Sequence, residues 1–133
     1  GLAFDLDGRA GVAAKTLGLV FGFEAVSVPK YMGICLDYLD NKQFTAEKLM
    51  HEALVVRLGA DAQNSEKLVS FLYERLTGIS PVQSERDKYV AWIASGAYTA
   101  DGLAVYASEL SLNYVVTQLT GMAATGIAFE MPT

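Results

Sequence analysis

Apolar residues recur along most of this chain at intervals of three and four, the spacing that places them on one face of an α-helix. Gly22, Gly59, Gly78 and Gly96 each follow an apolar run, and glycine readily adopts the left-handed conformation that commonly follows a helix. The pattern predicts about seven short helices, within residues 11–21, 29–38, 46–58, 65–76, 81–93, 100–110 and 114–124.

Polar residues at the expected helix starts support these boundaries. Thr45 and Thr99 precede apolar runs and are good N-caps, and either Asn64 or Ser65 can cap the segment between them. Glu47, in the first turn after Thr45, favours the positive end of that helix.

The segment Ser80-Pro81-Val82-Gln83 predicts a further helix start. Ser80 is expected as the N-cap, with Pro81 at the first helical position and Gln83 bonding back as a capping box. Alternating runs of strand length and Asn-Gly hairpin turns are absent from the sequence. We therefore expect an all-α fold, with residues 1–133 packed as one compact domain. A chain that starts at Gly1 is expected to be an excerpt or a processed product of a longer protein.

Composition excludes several classes of function. The chain has 133 residues, 52% of them hydrophobic, and a formal net charge of −5. This acidic balance argues against nucleic acid and anionic membranes as partners, because both require clustered cations. Only 19% of the residues are charged, and such a neutral surface favours packing against other protein. The longest uncharged stretch, between Glu109 and Glu130, holds too many polar and small residues to predict a membrane span.

Catalytic motifs are scarce in this sequence. One cysteine and one histidine exclude multi-thiolate and His-rich metal centres. A nucleophilic pair would need Cys35 and His51 to meet, and the sequence gives no reason for this. Cys35 has apolar neighbours, so we expect a buried thiol that reacts slowly. Neither a phosphate-binding loop nor a Gly-x-Ser-x-Gly motif occurs, and we expect no enzymatic activity.

The segment Asp5-Leu6-Asp7-Gly8 allows two interpretations. Two carboxylates followed by glycine resemble the start of a calcium loop, which uses hard oxygen ligands and a tight turn. The full EF-hand pattern fails, since Arg9 and Thr16 occupy the fifth and twelfth positions. The alternative is that Asp7 caps the first helix and Asp5 is solvated.

The order of motifs resembles a known group of bacterial proteins. The first part of the chain is similar to the opening of domains in RTX-type (haemolysin-type repeat) secreted proteins, through Ala3-Phe4-Asp5-Leu6-Asp7-Gly8, Ala13-Ala14-Lys15 and Val20-Phe21-Gly22. The later part resembles the domain of unknown function 4214, through Phe71-Leu72-Tyr73, Gly78, Pro81, Ser95-Gly96-Ala97-Tyr98-Thr99 and Leu110-Ser111-Leu112-Asn113. It departs from that family at residues 85–89, where Gly-Leu-x-Tyr-Trp is usual. The resemblance implies a helical domain of a surface-layer or type I-secreted protein, without assigned catalytic residues.

These observations together predict a non-catalytic, extracellular or cell-surface domain that acts in self-association or surface attachment. Calcium is a possible cofactor at Asp5 and Asp7. The alternative is a module that binds carbohydrate or protein through exposed aromatic residues, of which Trp92 and Tyr98 are the candidates.

Overall fold

The computed structural model describes residues 1–116 and 122–133. The α-helices are α1 (Arg9–Phe21), α2 (Phe23–Val26), α3 (Pro29–Asp40), α4 (Ala46–Leu58), α5 (Ser65–Thr77), α6 (Gln83–Ala94), α7 (Ala100–Glu109), α8 (Ser111–Val116) and α9 (Met122–Thr125), with a 3₁₀-helix at Gly59–Gln63. Two short strands, β1 (Leu2–Ala3) and β2 (Ile127–Ala128), complete the fold. The predicted all-α class is confirmed.

Local capping chemistry sets most helix boundaries, as the sequence predicts. Side-chain oxygens of Thr45, Asn64 and Thr99 accept hydrogen bonds from backbone N–H groups in the first turns of α4, α5 and α7, at 3.2, 3.1 and 2.9 Å. Of the two candidates for the start of α5, Asn64 is the cap. Gly59 and Gly78 follow α4 and α5 with φ of 59° and 79°, a conformation that glycine adopts without strain.

Two predicted caps are wrong. The N-cap of α1 is Gly8 rather than Asp7, and the main-chain oxygen of Asp5 accepts hydrogen bonds from the N–H groups of Gly8 and Gly11. Helix α6 begins at Gln83 with Val82 as its N-cap, two residues later than expected from Ser80. The Ser80 hydroxyl instead donates to the Glu74 carboxylate, which directs it towards α5.

The sequence pattern also missed some short elements. Strand β1 pairs with β2 antiparallel, Leu2 opposite Ala128, and runs of two residues are too short for an alternating pattern. Helix α2 is a single turn, which shows no period either. The predicted last helix, 114–124, falls partly on residues 117–121 and lies to that extent outside the described residues; α8 and α9 flank that gap.

Helix α1 connects two apolar clusters of the core. One cluster contains Ala13, Ala14 and Leu17, which pack with buried residues of α3 and with Ile127. The other contains Leu19 and Val20, which pack with buried residues of α4, α5 and α7. Full burial of a Leu or Val side chain contributes about 1.5–3 kcal/mol, so α1 stabilises both halves.

Polar contacts fix the middle and the C-terminal end of α1 against later elements. The Arg75 guanidinium donates to the main-chain oxygens of Leu19 (2.7 Å) and Gly18 (3.0 Å), which satisfies carbonyls at the C-terminal end of the helix. The buried Lys15 ammonium bonds the Glu109 carboxylate at 3.0 Å. Burial lowers the pKa of Lys15, but hydrogen bonds and charges from Glu109 and Tyr114 outweigh it and raise the pKa overall. Within the described part of the chain, none of the helices is both long and apolar enough to cross a membrane.

Candidate functional site

A surface depression lies between α3 and α4, and we call it the α3–α4 groove. Its volume is about 630 Å³, which lies within the range of about 300–1,000 Å³ common to ligand sites. The groove is lined by Leu17, Phe21, Glu24, Ala25, Val28, Tyr31, Ile34, Cys35, Tyr38, Leu49, Glu52, Ala53 and Val56. Helix α1 supplies the first two of these residues, and α2 supplies Glu24 and Ala25.

The two walls of the groove share one spacing. Helix α3 contributes residues 31, 34, 35 and 38, and α4 contributes residues 49, 52, 53 and 56, so each wall follows the order i, i+3, i+4, i+7. Such a stripe covers two turns of a helix and is about 10 Å long. Several of these side chains reach solvent, since Tyr31 is 49%, Ile34 45% and Val56 75% exposed. Two helix faces with the spacing of a packing interface thus lie open along the groove.

Charge in the groove is acidic. Glu24 and Glu52 are the charged residues of the lining, and both are exposed. Lys42 lies 4.4 Å from the centre of the Tyr38 ring and is paired with Asp37 at 3.3 Å. Hydrogen bonds from Asn41 and Lys42 hold the pKa of Asp37 below its ordinary value. An apolar ligand in this groove would therefore meet two carboxylates.

Cys35 lies in the α3 wall of the groove and is buried, as the sequence predicts. Burial raises the pKa of the Cys35 thiol to about 12. The Nδ1 atom of His51 lies 3.1 Å from a carboxylate oxygen of Asp101 on α7, so His51 is engaged away from the thiol. A thiol in this environment is protonated at neutral pH and is a poor nucleophile.

Trp92 and Tyr98, the predicted partner-binding residues, lie together in a group that we call the aromatic cluster: Tyr89, Trp92, Tyr98 and Tyr106. The Trp92 ring stacks on Tyr98 with 5.8 Å between centroids and 26° between planes, and Tyr89 packs edge-on against it at 4.9 Å. Both predicted residues are half-buried and pack against the second core cluster. Because one face of the indole already contacts Tyr98, that face cannot stack on a sugar.

Asp5 and Asp7, the predicted calcium ligands, are exposed near the start of α1. The Asp5 carboxylate lies so close to Gly8 that a Cβ atom there would be 1.8 Å from its oxygen. Asp40, another acidic residue, is paired with Arg9 at 2.8 Å. Among residues 1–116 and 122–133, no group of three or more His, Cys, Asp or Glu side chains could hold a metal ion. Calcium prefers six to eight oxygen ligands, so these two carboxylates fit a weak site at most.

Sequence analysis did not identify the α3–α4 groove. The only feature of the groove visible in the sequence is the pair of stripes at i, i+3, i+4 and i+7, and such stripes are typical of helices packed in a core. Comparison of the chain with models of protein families, with curated proteins and with solved structures gives no match. The resemblance to the domain of unknown function 4214 therefore stays a prediction, and the geometry of the groove is the starting point for function.

Proposed function

We propose that this is a non-catalytic binding domain of a secreted or surface bacterial protein, in which the α3–α4 groove holds the apolar face of a partner protein's helix. The observation that carries the proposal is the pair of opposed stripes on α3 and α4, each with helical spacing and each partly exposed to solvent. An amphipathic helix that lays apolar side chains into such a groove is a common mode of recognition. Secretion is supported by the motif resemblance alone.

The chemistry of the groove supports binding rather than catalysis. Its lining is mostly apolar, and the Cys35 thiol is protonated at neutral pH because burial raises its pKa to about 12. His51, the sole imidazole of the chain, is paired with Asp101. The apolar lining therefore provides a surface that a partner can bury, and Cys35 and His51 provide no activated nucleophile.

The test uses synthetic helical peptides of about 16 residues with leucine at i, i+3, i+4 and i+7, and with Lys, Gln or Glu at the remaining positions. Each peptide is titrated into the ¹⁵N-labelled domain at about 0.5 M salt, where exposed charges are largely screened. We expect amide shifts concentrated on α3 and α4. Scrambled peptides of the same composition serve as controls.

Two valine variants test whether the peptide binds in the groove. Val56→Gln places a polar group in the groove, whereas Val82→Gln makes the same change at a residue that is 66% exposed and outside the groove. Val56→Gln should weaken binding at least fivefold, and Val82→Gln should leave it unchanged. The proposal is wrong if no ordered peptide shifts the groove residues, or if the scrambled peptides act equally well.

Self-association is a second candidate, favoured by exposed apolar residues outside the groove. Ile79 and Val82, in the connection between α5 and α6, are 64% and 66% exposed. Light scattering over a range of concentrations measures the mass in solution, which rises if the domain self-associates. A rise that Val82→Gln abolishes would assign self-association to this connection. A mass that stays monomeric at every concentration would exclude it.

Calcium binding is a separate proposal, supported by the positions of Asp5 and Asp7 next to Gly8. If calcium binds the folded state, millimolar calcium should raise the Tm by mass action, and Asp5→Asn with Asp7→Asn should remove the increment. A melting curve that neither calcium nor chelator moves would leave these residues without a metal role.

A further inference from the structure

We infer that the α3–α4 groove selects a cationic helix, one that carries Lys or Arg beside its apolar face. This inference rests on the proposed function and names the partner's chemistry. The lining supplies Glu24 from α2 and Glu52 from α4, and no Lys or Arg. Two carboxylates in an otherwise apolar groove are complementary to ammonium or guanidinium groups that flank a row of leucines.

Within the described ranges 1–116 and 122–133, neither groove carboxylate takes part in an ion pair. Ion pairs there engage five other acids. Their acidic members are Asp37, Asp40, Asp61, Asp101 and Glu109. Glu24 and Glu52 take part in none of these pairs, so an incoming cation does not have to displace an internal one.

Aromatic rings strengthen the preference for a cation. Lys42 already lies over the Tyr38 ring at 4.4 Å, which shows that a ring of the groove accepts an ammonium group. Tyr31, about one turn from Cys35 along the same wall, is 49% exposed and offers a second ring face. An anionic helix would not gain a cation–π contact with Tyr31 and would be repelled by the carboxylates.

A second copy of this chain fits the groove less well than a basic partner does. Each copy carries a net charge of −5, so two copies repel each other at low salt. In a two-fold symmetric dimer formed groove to groove, Glu24 and Glu52 would face the same residues of the other copy. Charge therefore favours a basic helix from a different protein.

The experiment compares the Lys-bearing and Glu-bearing peptides by fluorescence anisotropy, at about 10 mM and about 0.5 M salt, where the screening length changes from about 30 Å to about 4 Å. At low salt we expect the Lys peptide to bind at least tenfold more tightly than the Glu peptide. At high salt the ratio should fall towards one.

Matched double variants separate local charge from net charge. Glu24→Gln with Glu52→Gln removes two charges from the groove, whereas Glu66→Gln with Asp87→Asn removes two exposed charges elsewhere. The groove variant should lose most of the preference for the Lys peptide, and the matched variant should keep it.

Three outcomes have distinct meanings. Equal affinity for the two peptides at low salt contradicts the inference, while binding itself would leave the proposed function intact. An equal loss of preference in both double variants also contradicts it, because the attraction would then reflect net charge. Absence of binding by every peptide at both salt concentrations contradicts the proposed function itself.

Discussion

The α3–α4 groove and the aromatic cluster are both apolar, but they differ in what covers them. In the aromatic cluster, Trp92 stacks on Tyr98 and contacts Tyr89 edge-on, so the rings of α6 and α7 and of the loop between them cover one another. In the groove, the facing side chains of α3 and α4 leave a volume of about 630 Å³, and Val56 is 75% exposed. Apolar residues that pack against each other stabilise the fold, whereas apolar residues exposed to solvent are available to a partner.

This difference bears on the residues that the sequence suggested for partner binding. Trp92 and Tyr98 were expected to bind partners, and the structure places them in intramolecular packing. Tyr31 and Ile34 lie in the helix predicted within residues 29–38, and nearly half of each side chain is exposed. The comparison predicts that substitutions in the cluster affect stability and that substitutions in the groove affect binding.

The largest expected effect concerns the rate at which Cys35, a residue of the α3 wall of the groove, is labelled. Its pKa is raised from 9.0 to about 12, so at pH 8 the folded protein should hold about a thousandfold less thiolate than the unfolded chain. We expect labelling by a disulfide reagent to be slower by about that factor, and to accelerate about tenfold per pH unit. Labelling within tenfold of the urea-unfolded rate would show that the thiol is accessible and is not held in its protonated form by burial.

The same pKa shift predicts a pH dependence of stability. Below about pH 9 the thiol is protonated in both states and does not change the free energy of unfolding. As pH rises from 9.0 towards about 12, the unfolded state ionises first, so stability falls. Cys35→Ala should remove the part of the stability loss at alkaline pH that comes from this thiol. Denaturation at pH 7 and pH 10 measures the free energy of unfolding of both proteins.

The next largest effect compares the two regions directly. Trp92→Ala should lower the free energy of unfolding by about 3 kcal/mol, because it removes the ring that Tyr89, Tyr98 and Tyr106 contact. Val56→Ala should change it by less than about 0.5 kcal/mol, since this side chain is mostly exposed. Urea denaturation measures both, and similar losses would remove the distinction between cluster and groove.

A smaller effect concerns Gly33, on the face of α3 that packs against the C-terminal segment. Gly33 lies against the main chain of Glu130, where a Cβ atom would be 1.7 Å from the carbonyl oxygen. Gly33→Ala should therefore destabilise the fold by about 1–3 kcal/mol. In a chain shortened to end at Phe129 the same substitution should be neutral or stabilising, because alanine favours helix. An equal cost in both backgrounds would place the strain elsewhere.

The smallest effects concern the starts of the helices that build the two regions. Thr45→Ala removes the cap of α4, a groove wall, and should cost about 1 kcal/mol. Ser80→Ala, ahead of the α6 helix that carries Trp92, should cost less than about 0.5 kcal/mol, because Val82 is the N-cap. Equal losses in denaturant midpoint would mean that Ser80 contributes as much as a true cap.

Features that depend on neighbouring residues were predictable from the sequence. Thr45, Asn64 and Thr99 cap helices because their side chains reach N–H groups three residues later. Ser80 has the same local pattern, but Glu74, six residues earlier, engages its hydroxyl. The cap prediction failed there because a contact outside the motif competed with it.

Features that depend on distant contacts were not predictable. An i, i+3, i+4, i+7 stripe looks the same whether a helix covers it or not, so the open groove has no signature in a single sequence. The pairing of β1 with β2 joins residues more than a hundred positions apart, and neither strand is long enough to show alternation. The acidic character of the groove likewise depends on Glu24 and Glu52 meeting from separate helices.

The pairing of the two chain ends has a mechanical consequence. The Gly1 ammonium and carbonyl bond the Phe129 carbonyl and N–H at 2.9 and 3.0 Å, and Leu2 and Ala3 continue the ladder inward. Tension applied between residues 1 and 133 would load this antiparallel pair from its outer end and break its hydrogen bonds one after another. The ladder would therefore open at low force, once the hydrogen bond from the Glu130 N–H to the Pro29 carbonyl oxygen at the start of α3 has broken.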